Sequence, residues 1–101
     1  MRAQISLFDE KVTMISIDAR KNRYRAYEIE LKKIGKSCLI KKWGRVEKKG
    51  GKWMLRQNKW NQEVEVGRDR PYRELEKEYQ RLIKTRVSHG YEYYIGNVFM
   101  K

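Results

Sequence analysis

A single cysteine, Cys38, excludes any disulfide within the chain, and the lack of a disulfide framework fits a reducing compartment. Its apolar neighbours Leu39 and Ile40 point to a buried, inert thiol. One proline and seven glycines exclude collagen-like and linker-like classes. With one histidine, His89, and Cys38 isolated from it in sequence, no metal cluster is apparent, and beside Gly90 the histidine suits the end of a helix. No apolar run approaches the length of a membrane span. Met1-Arg2-Ala3-Gln4 leads directly into an alternating segment without the apolar core of a signal peptide, so a cytoplasmic location is expected and no membrane partner. Ser6, Ser16, Ser37 and Ser88 stand in no nucleophile motif, and no glycine-rich phosphate loop occurs. The inventory argues against an enzyme, and no cofactor or metal is expected.

Present in quantity are charge and aromatics. Charged residues make up 38% of the 101 residues and aromatics 12%, with a hydrophobic fraction of 40%. That balance describes one folded domain, residues 1–101, with a modest core and a heavily charged surface. The net charge of +12 is unevenly spread: residues 20–60 hold 15 basic and 3 acidic side chains, whereas residues 1–19 sum to −1 and residues 61–101 to +1. A block that carries the whole excess points to a face for a polyanion rather than to general solubility.

The chain alternates strand and turn before its one helix. Residues 4–8 read as a strand, Asp9-Glu10-Lys11 as a turn and residues 12–17 as the returning strand, rich in β-branched side chains. Residues 18–22 make a polar connection suited by Asp18 and Asn22. Residues 24–32 form the clearest strand, with Arg25, Tyr27, Ile29 and Leu31 on one face and Tyr24, Ala26, Glu28 and Glu30 on the other. Residues 33–36 turn the chain into a strand over 37–46. Lys48-Lys49-Gly50-Gly51 is a hairpin turn, and strands over 52–56 and 60–66 follow. Pro71 opens a helix whose apolar stripe is Tyr72, Leu75, Tyr79, Leu82 and Ile83. Glu74, Glu76 and Glu78 form its solvated side, Lys84 and Arg86 suit its C-terminal dipole, and Gly90 stops it. Residues 91–99 read as a last strand. The pattern predicts an α+β fold: a mostly antiparallel β-sheet with one amphipathic helix packed across it.

Chemistry concentrates in Lys41-Lys42-Trp43-Gly44-Arg45. Glycine weakens a strand and marks a close approach of backbone or ligand. Tryptophan offers a flat face to a base or sugar, and arginine a fork of donors to phosphate. Trp43 is either a sheet-packing aromatic or a partly exposed platform, and the basic block favours the platform. Arg45 is a phosphate contact or a surface partner of Glu47. Lys41, Lys42, Lys48, Lys49 and Lys52 would act collectively, through salt-sensitive attraction to phosphates. Arg23 and Tyr24 extend the basic face or are plain strand residues. Trp53 and Trp60 are expected in a small core, with an oligomer contact as the other reading.

Residues 17–91 resemble the WGR domain, a family named for its Trp-Gly-Arg triplet. The frame runs Ile17-Asp18, Asn22, Arg25-Ala26-Tyr27, Glu28-Ile29-Glu30-Leu31, then Gly35, Leu39-Ile40, Lys41, Trp43-Gly44-Arg45-Val46, and ends Lys84-Thr85-Arg86-Val87-Ser88-His89-Gly90-Tyr91. Three positions depart from it: Ala26 in place of Phe, Glu47 in place of a glycine after the triplet, and extra tryptophan in residues 52–66. In poly(ADP-ribose) polymerases this domain binds DNA breaks, its tryptophan on a terminal sugar and its arginine and nearby polar groups on the phosphate backbone, and it helps signal to the catalytic domain. The resemblance therefore implies Trp43 as the platform, Arg45 as an anion or interdomain contact, and Asn22 as a backbone contact.

Composition and resemblance lead to one expectation, a non-catalytic nucleic-acid-binding module whose site comprises Trp43, Gly44, Arg45, Asn22, Arg23, Lys41, Lys42, Lys48, Lys49 and Lys52. DNA is the expected partner, at ends, nicks or backbone without strong sequence readout, with RNA as a competitor. The rival reading is a protein-interaction module that docks an acidic partner.

Overall fold

The computed structural model describes residues 10–33, 37–68 and 70–94. Strand β1 (Glu10–Asp18) pairs antiparallel with β2 (Arg23–Lys32), and the register begins at Glu10↔Leu31. Glu10 and Lys11 therefore belong to the strand, not to a preceding turn, because both find backbone partners on β2. The β1–β2 link is a single 3-10 turn (Ala19–Lys21). Asp18 caps it through a carboxylate that accepts from Arg20 N, and Asn22 closes it at φ +53°, a left-handed conformation asparagine tolerates.

Strand β3 (Cys38–Lys49) runs longer than its apolar pattern suggests. Gly50 and Gly51, both at positive φ, make a two-residue hairpin into β4 (Lys52–Leu55), so Lys48 and Lys49 are strand residues. A short 3-10 turn at Arg56–Asn58 replaces the end of the expected strand and leads to β5 (Gln62–Val66). Both β4 and β5 pair antiparallel with β3 on the edge away from β2: β5 against Leu39–Trp43 and β4 against Val46–Lys49. Helix α1 (Tyr72–Ser88) follows, with Pro71 in extended conformation at its N-cap, one position earlier than a first-turn proline. His89 caps its C-terminus through its backbone N–H. Of the expected last strand, only β6 (Glu92–Tyr93) pairs with β1 among the described residues. The expected strand over residues 4–8, most of the turn at 33–36, and residues 95–99 lie outside the described residues.

The architecture is α+β, an antiparallel sheet ordered β4-β3-β2-β1-β6, with β5 also on β3 and one helix packed across one face. Helix residues Leu75, Tyr79 and Leu82 close on Met14, Tyr27, Ile29, Leu31 and Leu39, which alternate inward along three strands. The opposite face is not simply solvated. Ala26, Ile15, Val46 and Leu55 form a second small core there, with Tyr24, Trp53 and Trp60 packed against it. The extra tryptophans of residues 52–66 thus cover the face that the helix leaves bare.

Candidate nucleic-acid interface

The register places Tyr27 directly opposite Trp43, and the side chains of an opposed antiparallel pair share one face. Their rings stack with centroids 5.9 Å apart and planes 10° from parallel. Tyr91, just beyond α1, meets Tyr27 edge-on at 6.1 Å. Arg86, from the last turn of α1, lays its guanidinium 4.8 Å from the Tyr27 centroid and 5.6 Å from that of Tyr91. One alternation further along the sheet, Arg25 lies opposite Arg45. These side chains, with Lys41 and Asn61, line a cleft of about 560 Å³.

Gly44 makes the cleft possible by letting β3 change partners. Asn61 N donates to Trp43 O at 2.9 Å, and Asn61 Oδ1 accepts from Arg45 N at 2.7 Å. Asn61 thus bridges the gap where β5 ends and β4 begins. A Cβ on Gly44 would lie 3.1 Å from Asn61 Oδ1 and 3.2 Å from both Asn61 N and Leu55 Cδ2. The close approach that glycine suggests is made by the chain's own backbone. The substitution-sensitive centre of the triplet therefore acts on Trp43 and Arg45 through the strand that holds them.

Electrostatically the cleft is one-sided. Arg25 and Arg45 are like charges side by side, a pairing that costs stability in a sheet. Among the described residues no carboxylate pairs with Arg25, Arg45 or Arg86. Among the described residues Arg45 Nη2 donates to the neutral Asn22 Oδ1, at 3.3 Å. Arg86 Nε is buried and makes no hydrogen bond among the described residues. Burial pushes the Tyr27 hydroxyl above its ordinary pKa, while nearby Arg86 pulls it the other way. The ring therefore stays a neutral platform. Cations over aromatic faces stabilise each other without neutralising the positive charge, so the site retains its pull on an anion.

The expected site residues divide. Trp43 is half-buried: one ring face rests on Tyr27, and the side chain lines the cleft. Arg45, Lys41 and Gly44 join it, and Asn22 is tied to it through Arg45. Arg23 lies at the helix end instead, where Nη1 donates to His89 O at 3.4 Å. Lys42 is on the opposite face, 3.6 Å from the buried carboxylate of Glu28, its cross-strand partner, because strand neighbours alternate. Lys49 pairs with Glu47 at 3.4 Å, so Glu47 is not the partner of Arg45. Lys48 covers the Trp53 ring at 5.6 Å, and Lys52 is exposed opposite Lys49 at the hairpin tip. The five lysines are not one continuous patch.

Five cleft residues lie outside the expected site: Arg25, Tyr27, Asn61, Arg86 and Tyr91. Tyr27 reads as core, which it also is. Arg25 reads only as a strand residue on the face of Tyr27, Ile29 and Leu31, and its place on that otherwise apolar face is the signal that could have marked it. Arg86 reads as a dipole-matching cation and Tyr91 as a strand residue, because only packing of α1 against β2 brings either to Tyr27. Among the described residues no three His, Cys, Asp or Glu side chains gather where they could hold a metal, and no helix is long and apolar enough to cross a membrane. No protein-family model, curated protein or solved structure matches the chain.

Proposed function

We propose that this chain is a WGR-like, non-catalytic DNA-binding module that grips the backbone at an end or nick and acts in the cytoplasm. One observation carries the reading: three arginines, none paired with a carboxylate among the described residues, line a single cleft with the stacked Tyr27–Trp43 pair. A terminal nucleotide offers both things such a cleft can hold, a flat sugar or base for the rings and phosphate oxygens for the guanidinium groups. An internal nucleotide of an intact duplex keeps its bases stacked away from Trp43, so ends and nicks fit the cleft better than continuous duplex. Sequence readout is expected to be weak, because the proposed contacts go to a terminal sugar or base face and to phosphate oxygens, which carry little sequence information.

The test is fluorescence anisotropy with a 5′-phosphorylated duplex end and a matched closed hairpin, at several salt concentrations. Wild type favours the open end, and its affinity falls steeply with salt. Trp43→Ala removes the preference for the end while leaving nonspecific attraction. Equal binding of both ligands by wild type would reject end recognition, and binding insensitive to salt would reject the phosphate contacts. Displacement of DNA by an acidic protein surface would return the cleft to the rival reading, a protein-docking module.

A further inference from the structure

The cleft is not the only place where cations cap aromatic rings. On the other side of the β3–β4 hairpin, the rings of Tyr24 and Trp53 lie 6.1 Å apart and tilted by 34°. Arg45 sits 5.3 Å from the Tyr24 centroid, and Lys48 5.6 Å from that of Trp53. The order is cation, ring, ring, cation. Arg45 belongs to both constellations, since it also lines the cleft beside Trp43. We infer that this ladder is a second binding site, continuous with the cleft, and that its ligand is single-stranded DNA: the overhang of the duplex end that the cleft holds. The inference rests on the end-binding reading.

Three features support it. First, the rings are fixed but not consumed. Tyr24 and Trp53 pack on the second core of Ile15, Ala26, Val46 and Leu55, yet both stay partly exposed. Partial exposure leaves both rings within reach of a ligand, whereas a plain core tryptophan would be closed over. Second, the cations are uncommitted. Among the described residues neither Arg45 nor Lys48 pairs with a carboxylate, and Glu47, which stands between them in sequence, is held by Lys49. Third, the order of groups suits a strand of nucleotides, which alternates anionic phosphate with flat base. Arg45 and Lys48 stand at the two ends of the ladder, with the Tyr24 and Trp53 rings in sequence between them.

The chemistry also selects among occupants. An acidic peptide would engage the cations but has no use for two adjacent rings. A continuous duplex would engage the cations but keeps its bases inside the stack. Single-stranded DNA engages both, with phosphates on the cations and bases on the rings.

The test compares a blunt duplex with the same duplex carrying an overhang of about four thymidines, the short end of known single-strand site sizes. Binding to the intact protein is read by anisotropy. Wild type binds the overhang duplex about tenfold more tightly, the effect of about one stacked base. Trp53→Leu keeps an apolar side chain on Val46 and Leu55 but removes the platform, and the overhang-to-blunt ratio falls to near one. Lys48→Ala alters an exposed side chain with little bearing on folding and lowers the ratio about threefold. Circular dichroism of both variants verifies the fold. A wild-type ratio near one overturns the inference, as does a ratio unchanged in both variants, or an oligoglutamate peptide that competes as well as oligothymidine. Failure of the blunt duplex to bind would instead remove the end reading, and Trp53-dependent binding of free oligothymidine would then show the ladder acting alone.

Discussion

Arg86 shows how a residue with an ordinary local reason acquires a different tertiary one. A cation in the last turn of a helix is favoured by the dipole. Here the guanidinium instead spans two rings, Tyr27 and Tyr91, with Nε buried and without a hydrogen bond among the described residues. A planar, delocalised cation can stack on both rings and still present donors, whereas an ammonium cannot. Arg86→Ala is therefore expected to weaken duplex-end binding about tenfold, the loss of one charge-assisted contact. Arg86→Lys should recover little of it. Anisotropy titration measures both, and recovery by lysine would mean that charge alone matters. Trp43 belongs to the same scale. Its sequence neighbours mark it as unusual, but its stacking partner Tyr27 lies sixteen positions earlier and is identified only by register.

At the scale of elements, two glycines control how strands and helix meet. Gly67, between β5 and α1, has φ +77°, and a Cβ there would come within 2.3 Å of Leu75 Cδ2. Leu75 is fully buried and cannot step aside. Gly67→Ala should cost about 2–4 kcal/mol, left-handed strain and overpacking together. Gly44 carries no left-handed strain, and its hypothetical Cβ presses on Asn61, which is held in place by its bond to Trp43 O. Gly44→Ala should cost about 1–3 kcal/mol. Urea midpoints rank the two, and a neutral Gly44→Ala would show that the change of strand partner tolerates a side chain. The β3–β4 hairpin was legible from Gly50-Gly51. The change of partner along one edge of β3 was not, because nothing in the spacing of residues 52–66 says that two short strands share one neighbour.

At the scale of the whole molecule, the helix-side core links stability to pH. Tyr79, packed between α1 and the sheet, has its hydroxyl pushed up to about 12, chiefly by burial, with Glu10 adding to the shift. An acid whose folded pKa is raised binds its proton more firmly in the folded state. Its contribution is complete below the ordinary value near 10 and is lost as pH climbs from there towards about 12. Thermal melts across that window should show stability falling with pH, and Tyr79→Phe should flatten part of the fall. A variant that falls as steeply as wild type would show that the loss comes from other groups. The +12 charge acts at this scale too, as a long-range attraction for polyanions that falls with salt.

The amino-acid sequence by itself determined the α+β class, the antiparallel sheet with one helix, the apolar stripe of α1 and the concentration of charge in residues 20–60. These are local or periodic properties: side-chain alternation, turn residues and helical spacing act between near neighbours. It also marked Trp43, Gly44 and Arg45 as a place apart. Only the tertiary structure decided which cations share a surface. Alternation sends Lys41 to the cleft and Lys42 to Glu28, helix docking brings Arg86 and Tyr91 to Tyr27, and Asn61 bonds the backbone of Trp43 and Arg45 on either side of Gly44. Those contacts join residues far apart in the chain. They follow from register and packing, which depend on the whole sheet rather than on any stretch of it.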